Sequence, residues 1–89
     1  METHVLTFTI TTTFEEWVTT YDGSTTMMAD AGITSLFRGA GKDEPTTICA
    51  VLQAPPGALE AFIAKNAELV AASGHVLEST VDQVFLAGN

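Results

Sequence analysis

From His4 to Ile10, apolar and polar positions alternate. His4, Leu6, Phe8 and Ile10 share one side of an extended chain, and Val5, Thr7 and Thr9 the other. The run is rich in β-branched and aromatic residues and predicts a strand. Thr11-Thr12-Thr13 ends it, and Thr13 with Glu16 three residues on has the spacing of a capping box. Phe14, Trp17, Val18, Tyr21 and Met28 then fall on one stripe of a 3.6-residue period. This predicts a helix over residues 13–31, broken near Gly23. Glycine costs roughly 1 kcal/mol inside a helix, and Ser24 is able to cap a second segment. Gly32 stops the helix as a left-handed C-terminal residue.

The period then returns to two. Ile33 to Arg38 predicts a second strand with Ile33, Ser35 and Phe37 on one face and Thr34, Leu36 and Arg38 on the other. Gly39 to Pro45 is polar, with two glycines as hinges, and suits a hairpin tip. Thr46 to Ala54 predicts a third strand, with Ile48, Ala50 and Leu52 opposite Thr47, Cys49, Val51 and Gln53. Pro55-Pro56-Gly57 ends it, and Pro56 opens a second helix. That helix has Leu59, Phe62, Ile63, Ala67 and Val70 as its apolar stripe and Gly74 as its stop. His75 to Leu86 predicts a last, long strand, and residues 87–89 a tail.

The order β-α-β-β-α-β is the split βαβ motif. It predicts an α+β ferredoxin-like sandwich: an antiparallel four-stranded sheet with two helices on one face. One domain spans residues 1–89. The other sheet face would leave Val5, Cys49 and Val51 wet unless something covers it. Composition points the same way: 46% of residues are hydrophobic and the mean hydropathy is +0.27. A domain this small has little interior for that surplus, so a homodimer through the sheet is expected.

Arg38, Lys42 and Lys65 are the only Lys and Arg, against eleven Asp and Glu, for a net charge of −8. Three scattered cations exclude nucleic acid as a partner and disfavour an anionic membrane. No apolar run reaches the ~18 residues of a membrane span, and Met1-Glu2-Thr3-His4 has no basic leader. Cys49 stands alone, which fits a reducing, cytoplasmic compartment.

The strand His4–Ile10, the helix start Phe14-Glu15-Glu16-Trp17, Ala31-Gly32-Ile33 leading into Leu36-Phe37-Arg38-Gly39, and Ser73-Gly74-His75-Val76-Leu77-Glu78-Ser79 together resemble the dimeric α/β-barrel superfamily. These are small ferredoxin-like domains whose sheets face each other across a dimer. Within it, the chain is most similar to one of the uncharacterised families. The resemblance covers nearly the whole chain in element order and length, without a catalytic signature. Its members include cofactor-free quinone-forming monooxygenases, haem-degrading enzymes, lactone isomerases and ligand-sensing proteins, so the fold fixes no reaction.

Several motifs fail. Gly39-Ala40-Gly41-Lys42 lacks the first glycine and the final Ser or Thr of a phosphate loop, because Leu36 and Asp43 stand there; Glu44 stands at the third glycine of a dinucleotide fingerprint. His4 and His75 open the first and last strands, which are antiparallel neighbours in this fold. Their ends lie apart, so no metal site is expected, and no cofactor.

What remains is a short set of candidates. Trp17 and Tyr21 share a helical face; they are either core or, with their N–H and O–H, the lining of a ligand space between helices and sheet. Phe37 and Arg38 complete that ligand set. Arg38 offers a planar fork to a carboxylate or enolate, or pairs with one of the many acids. His75 is either a histidine beside a helix C-terminus, where its cation is favoured, or a general base or haem ligand at a pocket rim. Two functions follow. One is a module holding a small, largely apolar or acidic molecule without chemistry. The other is a cofactor-independent monooxygenase or isomerase with His75 as base.

Overall fold

The computed structural model describes residues 1–87. Four strands, β1 (Glu2–Thr9), β2 (Thr34–Ala40), β3 (Thr47–Ala54) and β4 (Val81–Leu86), form one antiparallel sheet in the order β2-β3-β1-β4. The helices are α1 (Phe14–Gly23), α2 (Thr25–Asp30), α3 (Ala58–Lys65) and α4 (Ala67–Ala72). Alternation along β1 does what the pattern demands. Leu6, Phe8 and, just past the strand, Ile10 are buried against the helices, together with Ile48, Ala50 and Leu52 of β3. Trp17, Met28 and Leu59 close this core from the helix side. Each such large apolar side chain contributes roughly 1.5–3 kcal/mol by leaving water.

The first helical stretch breaks where glycine and serine sit. Thr13 caps α1 by accepting the Glu16 N–H at 3.2 Å, while its own hydroxyl donates to Glu16 Oε1. This is one half of the capping box, with the return contact made between side chains. Ser24 turns its hydroxyl back to the Tyr21 carbonyl at 2.7 Å, separating α1 from α2. Gly32 and Gly74 both adopt positive φ, +81° and +98°, and end their helical stretches as expected.

Four boundaries depart from the pattern. Pro56 does not open α3: it lies in a turn, and Gly57 in the left-handed region leads into Ala58. The second helical stretch breaks at Asn66, whose side-chain amide donates to the Phe62 carbonyl at 2.9 Å. A polar side chain competing for a helical carbonyl is the physical cause. β2 runs on to Ala40, so Gly39 lies in the strand opposite Cys49 and only Gly41 belongs to the hairpin tip.

The fourth is the long last strand. His75 makes a lone bridge to Ile10, the chain rises into a 3₁₀ turn at Leu77–Ser79, and pairing resumes only at Val81. Ser79 explains the interruption. Its hydroxyl accepts the Thr9 N–H at 2.9 Å and donates to the Val76 carbonyl at 2.6 Å, replacing the backbone ladder there.

β2 carries a further irregularity with a large effect. Its register passes from Ser35 opposite Leu52 to Phe37 opposite Val51, so Leu36 is an extra, bulged residue. Beyond it every side chain changes face relative to simple alternation. Arg38 joins Ser35 on the helix side, and Phe37 joins Thr34 on the open side.

Candidate functional site

Between the sheet and the helices lies a cavity of about 90 Å³. Leu6, Phe8, Ala50 and Leu52 form its floor, α1 and α2 one wall, and α3 and α4 the other. Its polar groups are few: Thr20, Tyr21, Ser24, Ser73 and His75. This is the composition of a small-molecule site, mostly apolar with a handful of placed polar atoms.

Trp17 and Tyr21 line the cavity as their stripe predicts. The indole is 2% exposed and stacks on Tyr21 with ring centres 4.8 Å apart, and it meets Phe8 at a tilt at 5.6 Å. Tyr21 Oη and Ser35 Oγ share a hydrogen bond of 2.7 Å. Burial raises the Tyr21 phenol above its ordinary value, with the Ser35 bond opposing the shift, so the phenol stays neutral. No hydrogen bond among the described residues takes the Trp17 indole N–H.

His75 also lines the cavity. Its ring lies flat on Phe8, with centres 3.7 Å apart and planes 7° from parallel, and its Nε2 shares a 2.7 Å hydrogen bond with Thr80 Oγ1. Burial pushes its pKa down to about 4. The helix C-terminus was expected to favour the cation; desolvation outweighs it, because the imidazolium loses its water and gains no carboxylate. A neutral ring on an aromatic platform results.

Phe37 and Arg38 do not join this set. The bulge turns Phe37 to the open sheet face, where it is 55% exposed and its ring covers Gly39. Arg38 lies outside the cavity with its fork already filled. Its Nε donates to Asp22 Oδ1 at 2.6 Å and its Nη2 to Asp22 Oδ2 at 2.7 Å. The bidentate hydrogen bond holds the Asp22 carboxyl below, and the Arg38 guanidinium above, their ordinary values. The pair is exposed, so it positions α1 against β2 more than it stabilises the fold.

The residues that sequence reading missed are Phe8, the platform under His75, and Thr80, its hydrogen-bond partner. Phe8 was legible as an inward residue of β1. Its meeting with His75 follows only from the Ile10–His75 bridge.

Comparison with known proteins agrees with this architecture. The sequence model of a domain of unknown function (DUF3764) matches residues 1–87. Among solved structures, the chain is similar to a point mutant of SnoaB, a cofactor-independent oxygenase from Streptomyces nogalater. The TM-score is 0.65 at 15% sequence identity, over 99% of this chain and 93% of that one. At that identity the likeness is one of fold, a ferredoxin-like α+β sandwich. No curated protein sequence matches.

Proposed function

The chain belongs to the DUF3764 family, and we propose that it is a homodimeric module that binds a small, largely apolar molecule between its helices and sheet. The cavity carries this reading. It is walled by apolar and aromatic groups, and the N–H of Trp17, one of the lining residues, has no acceptor among the described residues, so an uncharged acceptor on the ligand would give it one. Size narrows the class. A cavity of about 150 Å³ accepts benzene; one of about 90 Å³ fits a smaller fragment or a single ring if α3 and α4 give way at Asn66. An acidic group finds no cation inside, since Arg38 is held by Asp22. The half-buried free thiol of Cys49 suits a reducing cytoplasm.

Trp17 is the sole tryptophan, so its emission reports on the cavity directly. Titration with a panel of single-ring phenols and short apolar ketones should give a saturable change at one ligand per chain. Val70→Phe, which fills the wall, should abolish it while leaving the circular dichroism spectrum unchanged. A flat response across the panel, or equal binding by the filled variant, would sink the proposal.

A second reading makes the protein a cofactor-independent monooxygenase or isomerase with His75 as base. His75 at the cavity favours it. A pKa of about 4 and the missing orienting carboxylate weigh against it, because a general base works best with a pKa near the operating pH. If polyphenol or lactone turnover exists and His75→Ala removes it without unfolding the chain, this second reading replaces the first.

A further inference from the structure

His4 is fully buried, at 0% exposure, and only one of its two ring nitrogens is satisfied. Nδ1 meets the Asp82 carboxylate at 2.9 and 3.2 Å. Nε2 has no hydrogen bond; Glu2 Oε1 lies 3.4 Å from it without hydrogen-bond geometry. An orphaned buried nitrogen costs about 1–3 kcal/mol, so its surroundings call for an explanation.

Those surroundings are a set of oxygen donors. Strand alternation places Glu2 and His4 on the same, helix-facing side of β1. Ala54, the last residue of β3, pairs with Glu2, and the chain turns from there through Pro55–Gly57 into α3. The first turn of α3 therefore stands over the start of β1 and brings Glu60 to the pair. One ligand atom each from Glu2, His4 and Glu60 lies within 4.8 Å of the others.

We propose that Glu2, His4 and Glu60 form a binding site for a divalent transition-metal ion, with His4 Nε2 as its buried nitrogen ligand. Three observations converge. With Nδ1 facing the Asp82 carboxylate, the natural tautomer has the proton on Nδ1 and leaves Nε2 with a free lone pair, within 4.8 Å of a Glu2 and a Glu60 oxygen. This is the carboxylate–histidine–metal relay, in which an outer carboxylate fixes the ring and raises its basicity. The Nε2–Oε1 separation of 3.4 Å is close to the about 3.3 Å spanned by two tetrahedral ligands with bonds of about 2.0 Å. Glu60 is exposed and free to swing the remaining distance. Finally, three carboxylates surround a single imidazole, and among the described residues no Lys or Arg forms an ion pair with any of them. One nitrogen and two carboxylate oxygens suit Zn²⁺, Mn²⁺ or Fe²⁺, with the remaining positions left to water or a ligand.

The rival reading is a buried nitrogen that takes no ligand and is left unpartnered. Zn²⁺ titrated calorimetrically into the chelator-treated full chain separates the two. We expect one ion per chain, a higher melting temperature with Zn²⁺, and one nitrogen plus oxygens in the X-ray absorption shell. Glu60→Gln, on the exposed face of α3, leaves the fold intact and should weaken binding at least tenfold. Asp82→Asn should weaken it by roughly 10–100-fold, as loss of an outer partner does. Absence of stoichiometric uptake, or equal affinity in wild type and Glu60→Gln, overturns the proposal.

Discussion

At the scale of the residue, environment decided the chemistry more than identity did. His75 sits beside a helix C-terminus, which favours its cation, yet the cavity and the Phe8 ring strip its water and push its pKa to about 4. The consequence for stability has a definite sign. The unfolded chain binds a proton on this residue at about pH 6.5, the folded chain only near 4. The contribution of the neutral ring is complete above about pH 6.5 and is lost as pH falls toward 4. Wild type should lose melting temperature over that window faster than His75→Gln does. Parallel curves for the two proteins would show that burial of His75 is not what is being titrated. Arg38 teaches the same lesson: its fork was legible as a binder of carboxylate, and the carboxylate proved to be Asp22 of the same chain.

At the scale of the element, single polar side chains moved the boundaries. Periodicity located the two helical stretches and β1 and β3 within a few residues, because an amphipathic stripe is repeated over many positions. Gly23 and Ser24 marked the break between α1 and α2, but nothing in the period located the interruptions at Asn66 and Ser79, which hang on a single polar side chain each. Ser79 is the clearest case, capping the Thr9 N–H and halting the last strand. Ser79→Ala should cost about 1 kcal/mol, the usual net loss for a hydrogen bond of this kind. Chemical denaturation checks the value, and faster amide exchange at Thr9 checks its location. A neutral substitution with unchanged exchange would show that water replaces the hydroxyl at no cost. The bulge at Leu36 acted at the same scale: one inserted residue transferred Phe37 from the expected ligand set to the open face.

At the scale of the whole molecule, the open sheet face is the outstanding feature. Register places Phe37 of β2, Cys49 and Val51 of β3, Val5 of β1, and Val81 and Phe85 of β4 on that side. Phe37, Val81 and Phe85 are each more than half exposed. Among the described residues no helix is long and apolar enough to cross a membrane. A second copy of the sheet is the proposed cover. Sedimentation equilibrium at micromolar concentration should give twice the 9.4 kDa of the chain, and Phe85→Asp together with Phe37→Asp should give the single chain mass. A wild-type chain that sediments at 9.4 kDa would remove the dimer. By itself the sequence determined the element order, the inward set Leu6, Phe8, Ile48, Ala50, Leu52 and Trp17, and the surplus of apolar surface, because these are written in local periodicity and composition. Only the tertiary structure decided which polar atoms meet. The bulge that turned Phe37 outward, the Ile10–His75 bridge that set His75 on Phe8, and the turn from Ala54 that carried Glu60 to Glu2 and His4 all depend on strand register. Register is a property of pairs of segments distant in sequence, and no single window of residues encodes it.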